Sequence, residues 1–289
     1  MPRAAPSSRK RGGRKKSRRR FRIPKLWPSA QRRRRWWRFF RTAPFTLQLA
    51  LGSILLLTSW FLINGIYQVV LKPTELFFPV SGALYKSPAQ TWNSYERVFR
   101  KHSTSIVTPE FLAALAQVEG SGNPVVRTYW RWSLSSDPFK VYRPASSAVG
   151  MYQITHGTFA EARRYCIHDH QVVEDGPWDD FKSCWFNSLY MRVIPSHAVE
   201  MTSAYLDRRV TRALSRAGIV NATAKQKLDL AAIIHLCGAG AGERHARRGL
   251  RITSGQRCGD HNVRNYVAKV EKMRRGFASL SQRELEVTR

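Results

Sequence analysis

Residues 108–124 of this 289-residue chain read TPEFLAALAQVEGSGNP, and this stretch carries the clearest helix signal outside the apolar N-terminal part. Thr108 is a favourable N-cap residue, and Pro109 suits the first helical position, where its missing N–H needs no partner. An apolar stripe at helical spacing comprises Phe111, Leu115 and Val118. The glycines and the proline after Glu119 end the pattern. The stretch therefore predicts a helix with a carboxyl group on its last turn.

Helical signals dominate the rest of the C-terminal part. Periodicity and end signals predict further helices over residues 158–165, 197–217, 223–236 and 263–273. Convincing alternating strands are absent, and a stretch rich in Pro and Gly runs from Lys72 to about residue 89. We therefore predict a mainly α fold class.

Glu119 is the most informative carboxyl group in the chain. It follows Leu115 by one helical turn, on the shoulder of the apolar face, where glycines open the backbone. Partial desolvation there favours the neutral form of a carboxyl group, which can then act as a general acid. A glutamate at a helix end is more often an ordinary solvated residue, so this position alone does not assign a function.

Residues 45–71 contain 27 positions without a formal charge. A bilayer requires about 20 apolar residues in a helix, so the run is long enough to span with tilt. A cleaved signal peptide is the closer alternative, but its apolar region is about 7 to 15 residues and its basic region is short. We therefore predict one uncleaved transmembrane anchor over residues 42–71.

The charge is concentrated before this anchor. The chain has 49 Lys and Arg against 19 Asp and Glu, and residues 1–41 hold 18 of the cations and no acid, which leaves a net charge of +12 downstream. Self-repulsion predicts a disordered basic tail over residues 1–41. The positive-inside rule places this tail in the cytoplasm and the remainder outside. Beside an anchor, anionic lipid is favoured over nucleic acid as the partner of the tail.

The four cysteines follow the anchor, in an oxidising compartment if this orientation holds. Four cysteines allow three pairings, and none of them forms a CxxC motif of the kind used in zinc or redox sites. We favour Cys166 with Cys184 and Cys237 with Cys258, since each pair brackets a short stretch rich in loops. Free buried thiols are the alternative.

Three stretches together resemble the motifs of lytic transglycosylases with a soluble-lytic-transglycosylase catalytic domain. Residues 115–124 read LAQVEGSGNP, residues 147–158 read SAVGMYQITHGT and residues 265–270 read NYVAKV. In that family a helix ends in Glu-Ser with a turn soon after, a second motif reads Gly-Leu-Met-Gln-Ile with a Thr five residues beyond the Gln, and a third reads Asn-Tyr-Val. The resemblance covers the outer domain but neither the tail nor the anchor.

The resemblance implies a lysozyme-like helical domain that cleaves the β-1,4 bond between N-acetylmuramic acid and N-acetylglucosamine in peptidoglycan. One glutamate acts as acid and then as base, and a 1,6-anhydro ring forms. Carried over, Glu119 is the catalytic residue, and the implied substrate contacts are Gln153, Tyr266, Tyr152, Met151 and Ser121. In the family the tyrosine that matches Tyr266 also helps to position the glutamate. Since no CxxC pair is present, we predict neither a metal nor a cofactor.

Two departures from the family pattern stand out. Gly120 replaces the Ser that usually follows the catalytic glutamate, with Ser121 one place later. In the stretch that corresponds to the family loop Ala-Tyr-Asn-Ala-Gly, His235 and Leu236 stand at the Tyr and Asn positions. The insertion 129–144, rich in Trp and Arg, is either a rim of the cleft or a plain loop.

We thus predict a tail over residues 1–41, an anchor over 42–71, a linker and entry segment over 72–105, a catalytic domain over 106–280 and a final tail over 281–289. The predicted location is a bacterial inner membrane, crossed once, with a cytoplasmic N-terminus and a periplasmic catalytic domain. The predicted partners are peptidoglycan strands, membrane lipids, and proteins of a cell-wall, secretion or conjugation complex. The alternatives are a muramidase of goose-lysozyme type and a catalytically degenerate wall-binding scaffold.

Overall fold

The structure, a computed structural model, describes residues 30–180 and 182–287. Its α-helices are α1 Ala30–Thr42, α2 Phe45–Leu71, α3 Phe78–Ser81, α4 Pro88–Lys101, α5 Pro109–Gly120, α6 His156–Ala162, α7 Pro195–Arg216, α8 Ala224–Cys237, α9 Ala239–Arg247 and α10 Val263–Val287. Its strands are β1 Trp130–Trp132, β2 Tyr142–Pro144, β3 Tyr165–His168, β4 Gln171–Glu174, β5 Arg257–Cys258 and β6 His261–Asn262. Short 3-10 helices lie at Pro73–Phe77, Gly82–Leu84, Pro138–Lys140 and Trp185–Leu189. The described chain is mainly helical, as the sequence predicts.

The chain divides into two compact units, Met1–Phe61 and Leu62–Arg289, and the boundary falls inside α2. The apolar helix α2 has 27 residues, as predicted, and it is long and apolar enough to be a candidate membrane span. Along this helix most side chains up to residue 63 are exposed. An exposed apolar surface of this length is typical of a membrane span or of a signal sequence.

The predicted disorder of the basic tail is wrong for residues 30–41, which belong to α1, while residues 1–29 lie outside the described residues. Arginine is a strong helix former. Arg41 lies 5.3 Å from the ring centre of Trp37, one helical turn earlier, and such a cation–π contact offsets part of the repulsion between cations.

Helix α5 forms the centre of the second unit, and its N-terminus is capped as predicted. The Thr108 hydroxyl accepts a hydrogen bond from the backbone N–H of Phe111. The side chains of residues 111–116 are all buried, and α5 packs against α4 and α10. Helix α4 lies in the segment 72–105 that we expected to be a linker. It contributes the fully buried Trp92 and Phe99 to the same core, so the core begins before residue 106.

The remaining predicted helices exist with shifted ends. Helices α7 and α8 lie within two residues of their predicted bounds, and a capping box at Thr223 starts α8. Helix α6 is shorter than predicted, because Tyr165 already belongs to β3. Helix α10 runs past residue 273 and into the predicted tail, because its buried stripe continues to Phe277, whose ring lies 5.8 Å from that of Trp92.

Three antiparallel two-stranded sheets correct the expectation that strands are absent. Strands β1 and β2 pair within the insertion 129–144, which is therefore a hairpin. Strands β3 and β4 pair through a turn in which Asp169 and His170 have positive φ, as a tight hairpin requires. Strands of two to four residues are too short to show a period of two, and the first three residues of β3 are all buried, so no alternation marks it.

Candidate active site

The side chain of Glu119 extends from the last turn of α5. The helix ends at Ser121, whose φ of 47° is left-handed, and this turn of the backbone leaves Glu119 at the edge of the core. Its side chain is 19% exposed. A carboxyl group in this setting is accessible to a ligand and still surrounded mainly by protein.

Tyr266 of α10 is hydrogen-bonded to Glu119. Its hydroxyl donates to Oε1 of the carboxyl group at 2.5 Å. Burial raises the pKa of Tyr266, and the charge of Glu119 and this hydrogen bond raise that pKa further, so the phenol remains protonated and able to donate. The hydrogen bond fixes one carboxyl oxygen and leaves Oε2 for another partner.

His235 of α8 is the second polar neighbour of Glu119. Its Nε2 lies 3.8 Å from Oε1, which is beyond hydrogen-bond distance. Burial lowers the pKa of His235 and outweighs the opposing effects of Glu119 and of a hydrogen bond to the Tyr152 backbone. The imidazole is therefore neutral at neutral pH.

Two cavities meet at Leu236, which lines both. One cavity, of about 390 Å³, contains Glu119 and is lined by Val118, Glu119, Leu236, Asp260, His261, Asn262, Asn265, Tyr266 and Lys269. The other, of about 210 Å³, is lined by Gln153, Ile154, Thr155, Thr158, Ala162, Met201, Thr202, Tyr205, Ile234, His235, Leu236 and Gly238. Glu119 thus lines one cavity, while its neighbour His235 lines the other.

Gln153 lies in the smaller cavity and makes no contact with Glu119 among the described interactions. Its φ of 47° is left-handed, and its Nε2 donates to the Gly150 carbonyl at 2.9 Å and to the Val126 carbonyl at 3.3 Å. These bonds hold the side chain at the cavity wall. The resemblance placed Gln153 near the scissile bond, and in the structure it shares a cavity with His235.

The prediction that the side chains of Met151 and Tyr152 contact the substrate is wrong. Both are fully buried, and the Tyr152 hydroxyl donates to the Leu112 carbonyl at 3.2 Å. The reason is the close packing of this segment against the end of α5. A Cβ atom on Gly120 would lie 2.8 Å from the Cα of Met151, closer than such atoms approach. The same contact explains why Gly occupies the position where the family has Ser.

Ser121 is the C-cap residue of α5 and lines neither of the two cavities. Its carbonyl accepts a hydrogen bond from the N–H of Lys86 at 2.9 Å, which ties the end of α5 to the segment before α4. Its position supports a structural role at the helix end.

Several residues of the larger cavity were not singled out from the sequence, among them Asp260, His261, Asn265 and Lys269. Asn265 and Lys269 are one helical turn apart on α10 and adjoin Tyr266, so the helical spacing of the third motif could have indicated them. Asp260 lies in the turn between β5 and β6, and His261 is the first residue of β6. No local sequence pattern marks either residue as part of a site.

The two disulfides have the predicted pairing. Cys166 is bonded to Cys184, and Cys237 is bonded to Cys258. The second bond joins the end of α8, which carries His235 and Leu236, to β5 beside Asp260. It therefore connects two sides of the cavity that contains Glu119.

No protein-family model, curated protein or solved structure matches this chain. A functional conclusion therefore depends on the motifs and on the geometry around Glu119.

Proposed function

We propose that this protein is a membrane-anchored lytic transglycosylase that cleaves the β-1,4 bond between N-acetylmuramic acid and N-acetylglucosamine in peptidoglycan. The observation that carries the proposal is the 2.5 Å hydrogen bond from Tyr266 to Glu119 at the wall of a cavity. These two residues come from the first and third motifs of the resemblance, and their contact is the arrangement that the chemistry needs.

The first step is proton transfer from Glu119 to the glycosidic oxygen. Because Tyr266 donates to Oε1, the acidic proton of a neutral Glu119 would reside on Oε2, the oxygen that is left to protonate the glycosidic bond. As the proton moves, the bond from C1 of the muramic acid to the bridging oxygen breaks, and N-acetylglucosamine leaves with a hydroxyl group.

The second step closes a ring within the muramic acid. Its C6 hydroxyl oxygen attacks C1, and the Glu119 carboxylate accepts the hydroxyl proton, which restores the neutral acid. Water does not enter, so the product has a 1,6-anhydro bond. Tyr266 stabilises the carboxylate formed between the two steps, because a hydrogen bond to a charged group is stronger than one to a neutral group.

A muramidase that cleaves the same bond with water is the second candidate, and one observation favours it. Asp260 lines the same cavity as Glu119. A second carboxylate across a cleft can activate water in an inverting glycosidase. The products separate the two mechanisms, since the anhydro product is lighter by one water molecule.

The proposed location is the inner membrane, with α2 as an uncleaved anchor, the basic tail in the cytoplasm and the second unit in the periplasm. The charge asymmetry across α2 supports this orientation. Two disulfides in the second unit agree with an oxidising compartment. The net charge of +12 after residue 41 favours approach to the anionic wall.

The test is digestion of purified sacculi by the full chain in detergent, with mass spectrometry of the soluble products. We expect anhydro ends, and we expect Glu119→Gln to abolish their release without changing thermal unfolding. Glu110→Gln, in the first turn of the same helix, is the matched control and should retain activity. Reducing ends alone would replace the proposal with the muramidase. Binding to sacculi without any release would instead favour a scaffold.

A further inference from the structure

The last turns of α2 are hydrogen-bonded to the hairpin of β1 and β2. Asn64 Nδ2 donates to the Tyr142 carbonyl at 2.8 Å, and Gln68 Nε2 donates to the Phe139 carbonyl at 2.7 Å. Both amide side chains are buried, and the ring of Tyr67 lies 4.7 Å from that of Phe139. The hairpin and this end of α2 therefore lie at the same height along the helix.

A buried ionic cluster fixes the base of the same hairpin. Glu75 accepts hydrogen bonds from Arg127 at 2.8 Å and from the indole N–H of Trp130 at 2.9 Å, and it pairs with Lys72 at 3.1 Å. Burial raises the pKa of Glu75, but these hydrogen bonds outweigh burial and hold that pKa below its usual value. The carboxylate is thus charged and held by three partners, which restricts movement of the hairpin relative to the end of α2.

The number of residues along α2 sets the depth of these contacts. The hydrocarbon core of a bilayer is about 30 Å thick and a helix rises about 1.5 Å per residue, so about 20 residues cross it. Helix α2 starts at Phe45, four residues after Arg41, and a span that starts there ends near Asn64. Asn64 and Gln68 therefore occupy the layer where hydrocarbon gives way to headgroups.

The surface of the hairpin has the composition of a membrane interface. Trp132 is 62% exposed, Tyr129 is 72% exposed and Leu134 at the tip is fully exposed. Residues 129–144 also contain three cations, Arg131, Lys140 and Arg143, against the single acid Asp137. Trp and Tyr collect at headgroup level, and cations near the surface attract anionic lipids.

We propose that the hairpin of residues 129–144 is a second membrane contact, which lies in the headgroup layer beside the outer end of α2. This surface contacts the lipid of the same membrane that α2 crosses. The inference rests on the membrane anchoring in the proposed function and not on the chemistry at Glu119. The inference assigns the insertion 129–144 to membrane binding and not to the rim of the cleft. In agreement with this, no residue of the insertion lines either of the two cavities described above.

The test uses nitroxide labels on the full chain in vesicles of phosphatidylethanolamine and phosphatidylglycerol. All four native cysteines are in disulfides, so an introduced cysteine takes the label alone. Leu134→Cys reports on the hairpin. Val220→Cys, at a residue 90% exposed between α7 and α8, is the aqueous control. Leu57→Cys, in the middle of α2, tests the anchor itself.

Collisions with oxygen, which enters lipid, are compared with collisions with a nickel chelate, which stays in water. We expect the oxygen-to-nickel ratio at position 134 to be severalfold higher than at position 220 and lower than at position 57. Equal, aqueous ratios at 134 and 220 with a lipid-exposed label at 57 would overturn the hairpin contact and leave the anchor intact. An aqueous label at 57 would overturn both.

A second variant tests the role of the α2 contacts. Asn64→Leu combined with Gln68→Leu keeps the helix apolar and removes both hydrogen bonds to the hairpin. With these changes we expect the label at 134 to become more mobile and more accessible to nickel. An unchanged label would contradict the role that we assign to these two hydrogen bonds in setting the depth of the hairpin.

Discussion

The hydroxyl of Tyr266 lies 2.5 Å from Oε1 of Glu119, although 147 positions separate the two residues along the chain. The contact exists because α10 packs on α5. It selects which carboxyl oxygen is occupied and which is open to a ligand.

Replacement of Tyr266 by Phe removes this hydrogen bond and keeps the ring in the core. A hydrogen bond to a charged group is worth about 1.5–3 kcal/mol, so we expect kcat/KM on sacculi to fall about 10- to 100-fold. Tyr152→Phe is the matched control, since it also removes one buried hydroxyl but leaves Glu119 untouched. Equal losses in both variants would argue against a role for Tyr266 at the carboxyl group.

Replacement of Gly120 by Ser restores the residue of the lytic transglycosylase motif but inserts atoms against Met151. Overpacking of this kind costs about 1–3 kcal/mol, so we expect a lower unfolding temperature. Gly276→Ala in α10 is a control for which we expect the opposite effect on stability. No atom lies within 4 Å of the added Cβ there, and the helix should gain about 0.8–1 kcal/mol. A Gly120→Ser protein as stable as wild type would contradict the close approach at Met151.

Helices α5 and α4 show which parts of the fold can be predicted from local sequence signals. Helix α5 is predictable because Thr108, Pro109 and the apolar stripe are consecutive in sequence. Helix α4 carries the same kind of signal, with Ser87 as N-cap, Pro88 at the first position and Gln90 completing a capping box, and it could have been predicted. The strands of two to four residues are below the length at which alternation can be recognised.

The site itself is only partly readable from the sequence. The resemblance pairs Glu119 with Tyr266, and the structure brings them together. It misplaces Met151 and Tyr152, because the side-chain directions in that segment depend on its packing beneath α5. The proximity of His235 to Glu119 and the contacts of Asn64 with the hairpin depend on tertiary packing and leave no local pattern.

Loss of the disulfide between Cys237 and Cys258 should affect the cleft more than loss of the other bond. Each disulfide closes a loop of about 20 residues, and we expect either double Cys→Ser variant to lose about 2–4 kcal/mol of stability. Only Cys237→Ser with Cys258→Ser should raise KM for sacculi, since this bond connects two sides of the cavity at Glu119. Equal KM values in the two double variants, measured well below their unfolding temperatures, would contradict this role.

Acid should weaken the fold through buried histidines. Burial lowers the pKa of His235 in the folded state, so below pH about 6.5 the unfolded chain binds more protons, and stability falls as the pH falls. The dependence from one histidine is at most about 1.4 kcal/mol per pH unit. We expect His235→Gln to have a shallower fall of unfolding temperature between neutral pH and pH about 5.5. In this variant part of the pH dependence of the unfolding temperature should remain, since burial also lowers the pKa of His102 and His245. An identical slope in wild type and variant would show that His235 does not contribute.

The bonds from Asn64 and Gln68 to the hairpin also limit where the proposed enzyme could act. The segment that follows α2 consists of short helical turns braced by Glu75 and contains no long tether. If α2 crosses a membrane, the cavity at Glu119 has no flexible linker that would let it move through the depth of the wall. Under the proposed function, the site would move laterally at a constant distance from the bilayer and reach only the glycan layer nearest to it.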